Sequence, residues 1–229
     1  MKAVLAVLYS IVLAIMAGPA FAQADIRSFV QTLHVEGVPY EEAVRFDADA
    51  STTTLLQMLA DPNEEPHWSN IVITLGMLGH ERAVQPLVQF LEQDAGGRLS
   101  RRHHAAKNVV PLALGYLVNR SRNPAALAYL QAGVKPETWA ARNLRWLSPV
   151  HDTSDGRNQQ LSKMAILGLA LSAHPAAGQT LHTLQGPATS EAERAFRTRV
   201  RGLVGDAIAA HQTIARQGLG TYDSSRRNR

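Results

Sequence analysis

Three Leu-Gly pairs, each late in an apolar helical stretch, constrain the fold of this chain more than any other feature. They are Leu75-Gly76, Leu114-Gly115 and Leu167-Gly168. Each is followed by a turn and then by a second helical stretch that opens on small residues: Ala83-Val84-Gln85-Pro86-Leu87, Pro124-Ala125-Ala126-Leu127 and Pro175-Ala176-Ala177. The glycines lie 39 and 53 residues apart. The first interval suits a two-helix repeat. The second holds one helix more, which 136–147 supplies. A glycine inside a helix costs up to ~1 kcal/mol relative to alanine. Three in matching places therefore imply a steric reason, a neighbouring backbone passing close. A lone helical hairpin cannot bury both of its faces, but stacked hairpins bury one another's.

Apolar residues recur at helical spacing almost everywhere, with Gly and Pro between the periodic stretches and no alternating strand. The expected helices are 25–35, 40–46, 51–59, 66–78, 81–93, 100–119, 124–131, 136–147, 159–172, 175–184 and a long closing helix over 189–217, capped by Thr189 or Ser190 with Glu191 and Glu193 in its first turn. Residues 219–229 are polar and basic and read as a disordered tail.

The first repeat, Leu75-Gly76-Met77-Leu78-Gly79 with Arg82-Ala83-Val84 and Pro86-Leu87, resembles the HEAT-like family, in particular the short variety first noted in phycobilisome lyases. That variety usually has Asp-Pro after the second Gly, where this chain has His80-Glu81. The later repeats keep the Leu-Gly pair and the turn prolines Pro124 and Pro175 but lack the second Gly and the Arg. The resemblance covers roughly residues 50–185. It implies an all-α fold, a short α-solenoid of stacked helical hairpins with a long C-terminal capping helix, and it implies an interaction surface. Lyase activity does not carry over, because it needs a bilin and nothing in the sequence speaks for one.

At the amino end, Lys2 precedes an apolar run over 4–17, then Gly18-Pro19 and Ala20-Phe21-Ala22. A charged start, a short apolar stretch and an A-x-A site predict a secretory signal peptide over 1–22, cleaved between Ala22 and Gln23. The run is shorter than the ~20 residues a membrane span needs. The mature domain is expected over 23–218, periplasmic or secreted, with no stable membrane insertion. The chain has no Cys, so lipobox attachment, disulfides and thiol catalysis are excluded. Its formal net charge of +4 is small, and Arg226, Arg227 and Arg229 in the tail account for most of it. No Lys/Arg-rich stripe points to nucleic acid.

Candidate sites remain few. Trp139 and Trp146 are seven apart, with Arg142 between them and Arg145 beside Trp146. On one helix they form an aromatic–Arg stripe, which serves either as a binding surface or as core filling. The polar stretch 148–158 holds His151, Asp152 and Asp155. It reads as a turn-forming loop, with a hydrolase or small-molecule site as the alternative if it meets His103 or His104. The adjacent His103-His104 pair points in two directions on a helix and reads as a solvated basic first turn. Trp68 reads as a core anchor. Arg194, Arg197, Arg199 and Arg201 flank the apolar stripe of the closing helix, which either caps the last hairpin or docks on a partner or membrane surface. No catalytic or metal-ligating constellation emerges, and no cofactor is implied. The expected function is a protein–protein interaction or scaffolding module with an unidentified protein partner in the cell envelope. A cavity lined by Trp139, Tyr116 or Tyr129 would instead favour a small-molecule binder.

Overall fold

The computed structural model describes residues 25–93, 97–151 and 153–227. The expected leader with its cleavage site, together with Asp152 and Arg229, lies outside these residues. The described chain is all-helical. The helices are α1 (Ile26–Gln31), α2 (Tyr40–Ala43), α3 (Ala48–Ala60), α4 (Trp68–Leu78), α5 (Val84–Glu92), α6 (Arg101–Asn108), α7 (Val110–Ser121), α8 (Pro124–Gly133), α9 (Pro136–Ala141), α10 (Ser154–Ser172), α11 (Pro175–Thr183), α12 (Glu191–Gln217) and α13 (Leu219–Arg227). Among the described residues, an isolated parallel bridge pairs Arg98 with Leu147. No described helix is long and apolar enough to cross a membrane.

Helices α4, α7, α10 and α12 lie side by side, with α8 packed on both α7 and α10 and α11 packed on both α10 and α12. The three repeat glycines sit at the crossings. A Cβ on Gly115 would collide with the Gly168 carbonyl oxygen and lie 2.7 Å from its Cα. A Cβ on Gly76 would collide with the Ala113 carbonyl, 2.6 Å from the Ala113 Cα. A Cβ on Gly168 would strike the Pro111 carbonyl. The mid-helix glycines thus mark backbone-to-backbone contact, which offsets their low helix propensity through closer packing.

The same three helices end alike. Gly79, Arg122 and Ala173 each adopt the left-handed conformation, with φ of 73°, 55° and 44°. Each is followed by a residue whose side chain caps the next helix: His80 accepts from the Arg82 N–H, Asn123 from Ala126 and His174 from Ala176. A left-handed residue closes a helix and turns the chain back. Asn119 links neighbouring units by donating from Nδ2 to the carbonyls of Leu171 and Ser172 at the end of α10, at 3.1 and 3.2 Å.

Several expected boundaries shift. The helix expected over 100–119 is two helices, α6 and α7, because Pro111 stands in the first turn of α7 and cannot donate to the helix before it. The helix expected over 136–147 stops at Ala141, and Asn143 takes a positive φ of 50°. Residues 144–147 are held extended by distant groups: Leu147 pairs with Gly97 and Leu99, and Arg157 takes the carbonyls of Leu144 and Trp146. Half of the expected 148–158 loop is the first turn of α10, capped by Thr153. The tail expected to be disordered is helical over Leu219–Arg227. The closing helix α12 begins with Ser190 accepting from the Glu193 N–H while Glu193 accepts from Thr189 N–H and hydroxyl, a reciprocal cap.

Candidate functional site

Trp139 and Trp146 do not share a helix face, since α9 ends between them. Both indoles are fully buried. Trp139 Nε1 donates to the Gly133 carbonyl at 2.7 Å, and Trp146 Nε1 to Leu91 at 2.9 Å. Arg142 pairs with Glu92 and stacks over the Tyr129 ring, with 4.2 Å from its guanidinium carbon to the ring centroid. Tyr129 donates its hydroxyl to the same Glu92 oxygen. The aromatic–Arg pattern is therefore an interior lock that ties α9 to α5 and α8. The reading of these residues as a free binding stripe is corrected; Arg145 alone of the four is exposed. Trp68, at the start of α4, is a core anchor, edge-on to Phe90 and His103.

The histidine pair is not a solvated turn. His104 is buried, and its Nε2 lies 3.2 Å from the Ser148 hydroxyl. Ser148 Oγ also accepts the backbone N–H groups of Val150 and His151, each at 3.1 Å. The structure thus brings His104, Ser148 and His151 together, the meeting that a hydrolase reading requires. A serine hydroxyl has one donor and two acceptor sites; here both acceptor sites take N–H groups of its own loop, which leaves the hydroxyl to donate to His104 on α6. Ser148 is 2% exposed, so no substrate carbonyl reaches it as it stands. Asp155 is exposed in the first turn of α10 and makes no side-chain hydrogen bond or ion pair with these three among the described residues. Among the described residues no set of three His, Asp or Glu side chains is placed to hold a metal ion.

Burial, and secondarily the neighbouring His151, pushes the His104 imidazole below its ordinary 6.5. Burial and then Lys107 do the same for His103. Unfolded imidazoles take up protons as the pH falls through 6.5, while the folded ones resist. Their stabilisation is thus complete above 6.5 and declines below it, until the folded groups also titrate. Urea midpoints are expected to fall as the pH drops below 6.5, and to fall less steeply in a His104→Asn variant. Equal slopes would contradict the buried neutral imidazole.

A cleft of about 770 Å³ runs along the row of α4, α7, α10 and α12. Its floor is apolar: Met77 from α4, Leu112 and Tyr116 from α7, Leu171 from α10, Leu203 and Ala207 from α12. Helices α5, α8 and α11 contribute nothing to it. One side is closed by α13 through Tyr222, Asp223, Arg226 and Arg227, which meet Glu36, Gly37 and Val38 from the other end of the chain. Arg227 donates to the Val38 carbonyl at 2.7 Å and to Asp223 at 2.8 Å, and Asp223 accepts the Tyr40 N–H at 3.4 Å. Tyr40 in turn stacks on Tyr116, with centroids 6.0 Å apart.

The polar groups in this cleft are underused. Tyr116, Arg226, Asp206 and Glu36 make no side-chain hydrogen bond or ion pair among the described residues. Burial, followed by the charge on Asp223, raises the Tyr116 phenol far above its ordinary range. It stays a neutral O–H, able to donate into the cleft. Sequence reasoning named Tyr116 only as a cavity marker and missed the rest, because the lining comes from widely separated elements.

Comparison of the chain with protein-family models, with curated proteins and with solved structures gave no match.

Proposed function

We propose that the chain is an exported HEAT-like repeat protein, a short solenoid of three stacked hairpins capped by α12, acting by binding rather than catalysis in the periplasm or outside the cell. The shared glycine contacts, left-handed closures and side-chain caps of α4, α7 and α10 support the repeat reading. The leader-like start of the sequence supports export. The observation that carries the functional reading is the cleft: one apolar face built from every first helix of the array, in which Tyr116, Arg226, Asp206 and Glu36 make no side-chain hydrogen bond or ion pair among the described residues. Its occupant in this reading is an apolar segment of an envelope protein. Helix α13, a nine-residue segment already seated at the rim, supports a polypeptide occupant.

A second reading is a small amphipathic ligand. Tyr116 in the lining favours it, as does a volume within the ~300–1,000 Å³ typical of small-molecule sites. The hydrolase alternative at 148–158 gains little, since the Ser148 hydroxyl is buried and spent on its own loop and on His104.

The test is a photo-crosslinking side chain placed at Leu112, in the cleft, or at Ala128, exposed on α8, in the native host. A discrete polypeptide adduct from Leu112 and none from Ala128 is expected. A low-mass adduct from Leu112 would establish the small-ligand reading instead. Adducts from Ala128 alone would overturn the assignment of the working face.

A further inference from the structure

A second pocket, of about 530 Å³, lies between α12 and the 184–188 loop and shares no lining residue with the cleft. Its walls carry Arg194, Arg197 and Arg201 and no carboxylate. These arginines sit in the first half of α12, whose amino end already carries about half a positive charge. A cation as close to that end as Arg194 opposes the helix dipole, and each of these arginines can be asked for a structural reason.

Two of the four arginines in this stretch have a structural one. Arg197 pairs with Glu193 and donates to the carbonyls of Thr183, Gly186 and Pro187 at 3.0, 2.9 and 3.1 Å, pinning the loop to the helix. Arg199 faces away and donates to Gln159 Oε1 at 2.7 Å. Arg194 and Arg201 have none. Seven residues apart, they share one face on either side of Arg197, and their guanidinium groups make no hydrogen bond or ion pair among the described residues.

We infer that this pocket is an anion site for a doubly charged phosphate group, either free phosphate or the phosphate monoester of a lipid headgroup, held by Arg194 and Arg201. Two guanidinium forks at one concavity, without partners among the described residues, match the charge of such a group, and guanidinium binds phosphate oxygens in pairs. Arg197 keeps the loop in place and leaves the other two free to bind.

The experiment uses protein expressed from the full coding chain. Calorimetric titration with inorganic phosphate at low salt is expected to show saturable one-to-one binding. Arg201→Gln is expected to weaken it about tenfold, the effect of losing one charge-assisted contact. Arg199→Gln, equal in charge change but outside the pocket, leaves it unaltered. Flotation with phosphatidylcholine vesicles, with and without phosphatidic acid, separates the sources: binding that requires phosphatidic acid and is lost in Arg201→Gln identifies a lipid monoester, and phosphate binding without flotation identifies the free ion. The inference is overturned by no saturable phosphate binding together with no phosphatidic-acid-dependent flotation. It is equally overturned if Arg199→Gln weakens binding as much as Arg201→Gln does. Circular dichroism of both variants verifies that helicity is retained.

Discussion

Gly115→Ala is expected to lower the unfolding free energy by about 3 kcal/mol, although alanine is the better helix former by ~1 kcal/mol. The added methyl carbon has no room, since it meets the carbonyl oxygen of Gly168 and lies 2.7 Å from its Cα. Both obstacles are backbone within helices, so α7 and α10 must separate, and that opens the apolar contact along their whole length. Gly168→Ala acts on the same crossing through Pro111. The contrast lies in α12. Gly202 and Gly205 are helical, exposed and have nothing within 4 Å of an added Cβ. Alanine there is expected to stabilise by up to about 1 kcal/mol. Urea denaturation of the variants decides the matter. Opposite signs for the two glycine classes support backbone contact as the reason for the repeat glycines, and stabilisation by Gly115→Ala would refute it.

Lys107→Met is expected to cost about 3 kcal/mol. Lys107 is 1% exposed, and its Nζ donates to the carbonyls of Phe90, Leu91 and Gln93. These are among the last carbonyls of α5 and its closing residue, which have no partner within the helix. The ammonium also meets the negative end of the helix dipole, between the rings of Phe90 and Trp146 at 5.1 and 5.8 Å. Methionine fills the same space but takes its three donors from those carbonyls, of which Leu91 alone keeps a side-chain donor among the described residues, the Trp146 indole N–H. A loss below about 1 kcal/mol by denaturant unfolding would mean that water replaces the ammonium.

The repeat glycines were legible because their reason is local to each helix pair: a residue without a side chain, in a place where helix propensity argues against it. The helix ends were less so. Arg122 and Ala173 close α7 and α10 in the conformation that Gly79 adopts in α4, yet nothing in an arginine or alanine announces it. The end of α9 was illegible for another reason. The segment after it is straightened by Arg157, more than ten residues further on, and by Gly97 and Leu99, almost fifty residues back. The aromatic–Arg group at 139–146 was visible as a cluster, but residue type alone does not say whether it points inward. Helix α13 is polar enough to read as disorder, and its anchors at Val38 and Tyr40 lie at the opposite end of the chain. The cleft inherits all of these difficulties, since its lining is assembled from both chain ends and the four central helices.

The central claim is that this cleft is the working face of the protein. Hydrogen exchange, measured on the free protein and on the crosslinked or ligand-loaded form, tests it most directly. The account predicts added protection in α13 and in the stretches 73–77, 112–116 and 203–210, with α5, α8 and α11 unchanged. Added protection confined to α5, α8 or α11, with the cleft stretches unaltered, would contradict it.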